Sequence, residues 1–423
     1  MQETGKLVLG IDLCDDITQV TVMRPHAAEP DAVCFDARTR KEFLPTLLCL
    51  EKDGSFCIGE VMSSETAVLP PFFHAAVNGE KVTFGETVYS GRDLLVQFFS
   101  LLMTKIRERF AEQEIGFAAI TCEEANTNEA ARQMLREMFE TTEGTEIPCI
   151  VLSHLEAFLH FVIRQEEGLW KNGSAVFDYT TDGLLFYYME CRMANGRRLL
   201  VADYRDYSEE IPPDFIDRGD GGRGALAFER LAGEALQQKV ASLFVTGRGF
   251  EGEWVSDVLR LLSSGRRVFR GQNLYTQGAC YAGAELFRQE QNVDFSVLTP
   301  DQSTVDVFLI AENAERDEEE GVLLAKAGEV YRNINARAEV ILDATDKLTF
   351  KLLPAGQTTP NIIRVSPNLL EVRGDRTSRY EVRVFFAKRD LMVIQLKETG
   401  FGAFYPPTHR IYEETVDFSR WEQ

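Results

Sequence analysis

Apolar positions dominate residues 7–13 and 19–23, and the polar turn Cys14–Asp15–Asp16 lies between the two runs. That spacing predicts consecutive strands, Leu7–Leu13 and Gln19–Met23, closed by a turn at Pro25. A helix is expected from Gly91 to Glu114, followed by a strand in "GFAAIT" at 116–121. Ala131, Met134, Leu135, Met138 and Phe139 fall at i, i+3, i+4, i+7 and i+8, one face of an amphipathic helix. "PCIVLS" at 148–153 reads as the next strand, with a helix running on toward Gln165.

At residue 173 the pattern restarts. "GSAVFDYTTDGLLFYYME" is again strand, turn, strand, and it overlays the opening segment without a gap. Asp12 meets Asp178, Asp16 meets Asp182 and Met23 meets Met189, which suggests a duplicated unit. The second copy continues with a strand near Arg198–Tyr204, a helix through 225–239, the strand "ASLFVTG" and helices at 253–263 and 277–290. From about Val293 helical periodicity fades into β-rich stretches ("EVIL", "KLTFKLL", "NIIRVS", "RYEVRVFF", "LMVIQLK") separated by turn residues. A domain boundary is placed at 293–303, and the acidic run 315–321 is expected to be a solvated loop.

Composition narrows the classes. A length of 423 residues leaves room for two or three domains, and 44% apolar content supports real cores. The net charge of −22 leaves no basic footprint for nucleic acid or an anionic membrane. The longest apolar stretch, 94–103, is too short to span a bilayer, and the N-terminus carries no signal-peptide pattern, so a cytoplasmic location is expected. Eight scattered cysteines without a CxxC read as small buried hydrophobes of a reducing compartment. Five histidines, none paired at ligand spacing, argue against zinc.

These segments resemble, in colinear order over residues 5–290, the DnaK-type heat-shock chaperones of the actin, sugar kinase and heat-shock ATPase superfamily. "LGIDLCDDITQVTV" is similar to their first phosphate turn, "FLPTLLCLEKDGSFCIGEVM" to the following segment and "AAITCEEANTNEAARQMLREMF" to a later strand and helix. "CIVLSHLEAFLHFV", "AVFDYTTDGLLFYYM" and "LFVTGRGFEGEWVSDVL" with "NLYTQGACYAGAEL" continue the series. The tail, in 321–342 and 369–402, resembles their peptide-binding β-domain, and "VDVFLI" at 305–310 resembles the segment joining the halves. The resemblance implies an α/β two-lobed, actin-like (ribonuclease H-like) nucleotide-binding fold followed by an all-β sandwich-like domain. Its parts would be lobe I (1–170), lobe II (171–292, one subdomain reduced) and a β-rich domain (293–423).

The departures concern chemistry. Where the family cradles phosphates with glycine and threonines, this chain has Cys14, Asp15 and Asp16. Each carboxylate repels a phosphate charge by ~1 kcal/mol in water-like surroundings and ~4 kcal/mol at an effective dielectric of 20. Two of them would cancel micromolar affinity, about 8 kcal/mol. Thr180, Thr181 and Asp182 replace three glycines of the second turn, and only Gly247 and Gly249 survive in the adenosine turn, with Phe250 at the stacking arginine's place. His154 stands at the general-base glutamate, and "PPFFHAAV" at 70–77 occupies the region of the catalytic lysine.

Asp12, Asp15, Asp16, Asp178, Asp182, Gly247 and Gly249 are therefore read as a vestigial nucleotide cleft with no catalytic residue assigned. Asp12 and Asp178 either hold a divalent ion or cap turns. "DRGDGGRGA" at 217–225 is a flexible linker or a phosphate loop, and "FYPPTHRIYEETVDFSRW" at 404–421 is packing or an interaction surface. The expected function is a catalytically degenerate scaffold or adaptor that binds protein or peptide, with ATP hydrolysis lost and no cofactor. The alternative is a nucleotide-dependent chaperone ATPase using ATP and magnesium at an unconventional acidic site through Asp12, Asp15, Asp16 and Asp178. A filament-forming actin relative is the third reading.

Overall fold

The computed structural model describes residues 5–35, 40–59, 67–143, 147–194, 197–213, 221–236, 240–251, 254–271, 273–289, 295–313, 318–342, 347–366, 376–408 and 410–418. Residues 315–317 of the acidic run, residues 217–220 of the 217–225 segment and Trp421 lie outside them. The chain divides into two compact units, 1–190 with 203–293, and 191–202 with 294–423.

The first unit opens with β1 (Leu7–Leu13) and β2 (Ile17–Met23), every β1 side chain buried. Short strands follow: β3 (Asp31–Ala32), β4 (Phe43–Pro45), β5 (Cys49–Leu50), β6 (Phe56–Cys57) and β7 (Ala67–Val68). Then come α1 (Phe73–Asn78), the hairpin β8 (Lys81–Phe84) and β9 (Thr87–Ser90), and α2 (Gly91–Arg109). The helix α2 ends five residues before the expected Glu114, because Ile115 is already paired with Leu7 in β10 (Ile115–Cys122). Next are α3 (Glu129–Glu143), β11 (Cys149–Ser153), α4 (His154–Ile163) and α5 (Glu167–Trp170).

The second half repeats that beginning as β12 (Ser174–Tyr179), β13 (Leu184–Ala194) and β14 (Arg197–Asp206). It continues with α6 (Gly221–Ala235), β15 (Ser242–Thr246), α7 (Val255–Leu262), β16 (Arg267–Arg270) and α8 (Leu274–Phe287). One sheet runs β11-β10-β1-β2-β3 and the other β16-β15-β12-β13-β14. In each, the opening strand is parallel to one neighbour and antiparallel to the next, so Asp12 and Asp178 reach equivalent strand ends. Helices lie on both faces of β1, the α2–α3 core on one and α8 against Gly10 on the other, which is why it is buried throughout rather than alternately.

Two cores support these sheets. One joins Leu7, Leu9 and Ile11 to Phe98 and Phe99 of α2 and to Phe139, on the face of α3 that the helical spacing marked. The other packs Phe177 and Phe186 against Phe228 and Phe250. Phe250 is thus a core ring. The helix α8 lies tightly on α4. A Cβ on Gly278 would come within 1.8 Å of the Ala157 carbonyl oxygen, so only glycine permits that approach.

The second unit carries β17 (Phe295–Leu298), β18 (Val305–Asn313), β19 (Glu318–Ala325), β20 (Asn335–Leu342), β21 (Leu348–Pro354), β22 (Asn361–Val365), β23 (Ser378–Lys388), β24 (Leu391–Glu398) and β25 (Ile411–Asp417). Its four-stranded sheets run β19-β18-β21-β22 and β20-β23-β24-β25. Strict alternation of burial along β21 and β23 sends Phe350, Tyr380 and Val382 into one shared core. Three expectations change here. Residues 305–310 are not a connecting segment but part of β18, hydrogen-bonded to β19 and β21 on either side. Residues 318–321 are strand rather than loop. Residues 191–202 group with this unit, where Arg198–Val201 pairs in parallel with Phe295–Leu298.

Candidate functional site

The repeated turns face each other across one cleft. The Asp12 and Asp178 side chains stand at the ends of β1 and β12, both buried. Between them lies His154, the first residue of α4 and 1% exposed. Its position follows from local chemistry: Ser153 caps the helix, its hydroxyl accepting from the Glu156 amide while Glu156 accepts from the Ser153 amide. The Arg132 guanidinium holds Glu156 at 2.7 Å. The ring of His154 then meets Asp12 Oδ1 through Nε2 at 2.8 Å and Asp178 Oδ2 through Nδ1 at 3.8 Å. On its face Tyr275, from the first turn of α8, stacks at 3.9 Å with the planes 6° apart.

The electrostatics favour an imidazolium there. Burial alone would lower the His154 pKa, but Asp12, Asp178 and Glu123 outweigh it and raise it to about 9. Burial lifts Asp178 to about 6, with the His154 charge opposing, and lifts Glu123 to about 8, with Asp178 adding to it. The Cys14 thiol is pushed well above its usual range by burial and then by Asp12. Two buried acids that would repel each other are bridged by one cation from the chain itself.

Magnesium does not fit this arrangement. It takes near-octahedral oxygen ligands at about 2.0–2.1 Å and keeps several waters. Here the imidazole ring fills the space between the two acids. The turns do not fit phosphate either. The Cys14 amide donates to the Ile17 carbonyl at 3.1 Å, the Thr180 amide to Gly183 at 2.9 Å and the Asp182 amide to the Thr180 hydroxyl at 3.1 Å. Those N–H groups close their own turns instead of pointing at an anion.

Further out, cations of the chain meet the remaining acids. Arg248 of the "TGRG" turn lies 3.3 Å from Asp16, which burial raises and Arg248 partly lowers again. His74 at the start of α1 reaches Asp182 at 3.3 Å and Glu124 at 3.5 Å, and its backbone amide donates to Asp15 at 3.4 Å. The hydrogen bond that the His74 ring donates to Asp182 is the main reason its pKa rises to about 9. His74 thus supplies a positive charge in the region where the resemblance offered no lysine. Asn126 donates to the Tyr187 hydroxyl at 2.9 Å, a further link from the first half to the second.

A cavity of about 660 Å³ opens over this floor, with Phe43, Pro45 and Leu47 on an apolar wall. Of the residues singled out in the sequence, Asp12, Asp15, Asp16, Asp178 and Gly247 line it. Asp182 sits at the exposed tip of its turn, and Gly249 is buried under the Tyr179 ring. Gly247 has φ +89°, and a Cβ there would approach the Tyr179 carbonyl oxygen to 2.3 Å, so its retention is a backbone requirement. His74 and Tyr275 are the participants that sequence reasoning missed. Both stand in the first turn of a helix, far along the chain from the turns they meet.

Residues 29–300 match the family described as "Family of unknown function (DUF5716) C-terminal", and residues 303–418 match "Domain of unknown function (DUF8552)". No curated protein matches the chain. Among the described residues, no helix is long and apolar enough to cross a membrane.

Proposed function

We propose that this chain, which belongs to the DUF5716 family, is a degenerate DnaK-like protein that works by association, as a protein- or peptide-binding scaffold or adaptor without ATP hydrolysis. One observation carries the reading: His154 bridges Asp12 and Asp178 where a magnesium–phosphate group would have to sit. The common strand order of the two sheets, with twin turns facing one cleft, supports an actin-like origin for the first unit. Support for binding comes from the second unit, a pair of four-stranded sheets with Phe404, Phe401 and Ile411 exposed near its last turn; Phe404 is 93% exposed. The scatter of eight cysteines supports a cytoplasmic location.

Calorimetric titration of the full chain with ATP and magnesium tests this. No saturable heat is expected up to about 100 µM, the affinity equivalent of about 5.5 kcal/mol. Binding tighter than that, or steady hydrolysis abolished by Asp12→Asn, would overturn the reading in favour of a working ATPase.

A further inference from the structure

The donor atoms on the cleft floor differ in kind from those of an oxygen-only cation site. Asp12 Oδ1 lies 3.8 Å from Cys14 Sγ and 2.8 Å from His154 Nε2, and the three donor atoms all fall within 4.8 Å of one another. Among the described residues, no other three such donors converge. We propose that Asp12, Cys14 and His154 form a site for a borderline-soft divalent ion, with zinc as the best match.

Four physical points carry it. Oxygen, nitrogen and sulfur together are the donor set that zinc accepts and magnesium or calcium does not. Tetrahedral zinc bonds of about 2.0–2.3 Å put neighbouring donors roughly 3.3–3.7 Å apart, so the trio needs shifts of only a fraction of an ångström to a little over one. The other ring nitrogen of His154 faces Asp178, and both Nδ1 of His154 and Oδ2 of Asp178 are buried with no hydrogen-bond partner. A carboxylate behind a ligating histidine is the arrangement that fixes the ring and raises its basicity. Finally, Asp12, Cys14, His154 and Asp178 all line the cavity, which supplies an entry path and leaves a fourth ligand position open to it.

The charge balance is even. The proton shared by Asp12 and His154 and the thiol proton of Cys14 leave to solvent as the dication enters, so the buried net charge does not change. Sequence spacing argued against zinc because these ligands come from two residues of one turn and a third far along the chain, a separation of 142 residues between Asp12 and His154.

Cobalt(II) is the probe, titrated anaerobically into the reduced full-length chain. The expected result is a 1:1 complex with strong tetrahedral ligand-field bands and a sulfur-to-cobalt charge-transfer band, all displaced by zinc. Cys14→Ser should abolish the charge-transfer band. Cys57→Ser should keep it, which separates this site from Cys49 and Cys57, directly opposite each other on β5 and β6. Asp178→Asn should weaken cobalt binding by about 10–100-fold. X-ray absorption at the zinc edge of the wild-type chain reads the Zn–S shell without any variant. Absence of tetrahedral bands at stoichiometric cobalt, persistence of the charge-transfer band in Cys14→Ser, or a zinc edge without sulfur would each overturn the proposal. The site stands apart from the scaffold reading: ATP binding to the metal-free chain would sink that reading, whereas the cobalt titration is read on the nucleotide-free chain.

Discussion

Nε2 of His154 stands 2.8 Å from Oδ1 of Asp12, with 142 residues of chain between them. The imidazolium is the only described cation in contact with both buried acids, Asp12 and Asp178. Breaking a buried ion pair from one side leaves an uncompensated charge, at a cost of about 3–5 kcal/mol. His154→Ala is therefore expected to lower unfolding stability by that amount in urea titration at neutral pH. Adding Asp178→Asn should recover part of it, because one of two facing acids is removed. A loss below about 1 kcal/mol would mean that the ring packs without carrying charge.

Tyr275 separates packing from hydrogen bonding. Its ring stacks on His154, while its buried hydroxyl faces Asp178 without closing a hydrogen bond of normal geometry. Tyr275→Phe should leave the thermal midpoint nearly unchanged, whereas Tyr275→Ala should cost about 3–5 kcal/mol through the lost ring volume. Equal losses in the two variants would show that the hydroxyl matters.

The Gly247 turn makes a backbone prediction. With φ +89° and the Tyr179 carbonyl 2.3 Å from any added Cβ, Gly247→Ala should destabilise the chain by about 1–3 kcal/mol, read from the denaturation midpoint. An unchanged midpoint would mean the turn relaxes freely.

His74 gives a pH dependence whose sign can be worked out. Its folded pKa is raised to about 9, mainly by Asp182, against about 6.5 in an unfolded chain. The stabilising contribution is thus complete below about pH 6.5 and is lost as pH rises through about 9. The group is partly exposed, so screening keeps the effect small. The denaturation-midpoint gap between wild type and His74→Gln should narrow from pH 6 to pH 10. A gap that stays constant or widens would refute the charge pairing.

Phe404 tests the association reading without disturbing the core. It is 93% exposed, so Phe404→Ser should change stability by less than about 0.5 kcal/mol. Binding of a fluorescent apolar peptide to the full chain, followed by anisotropy, should weaken. Unaltered peptide affinity would move the contact surface elsewhere.

What the sequence by itself determined was local. The opening strand, turn and strand, their gapless repetition at residue 173 and the buried face of the helix through Ala131 and Phe139 all depend on neighbours a few residues away, and period and turn chemistry report on those. The carboxylates of Asp15 and Asp16 and the glycine-free run Thr180, Thr181 and Asp182 were equally visible, because residue identity within a turn is a local fact. The end of α2 at Arg109 was not, since pairing of Ile115 with Leu7 decides it from across the sheet. Nor was the grouping of residues 191–202 with the C-terminal strands, which rests on Arg198–Val201 meeting Phe295–Leu298. The tertiary structure alone decided that His154 would stand between Asp12 and Asp178, with Cys14 beside it and Tyr275 stacked on its face. Charges and donor atoms act through space, and a chain read in one dimension carries no distance between residues 12, 154, 178 and 275.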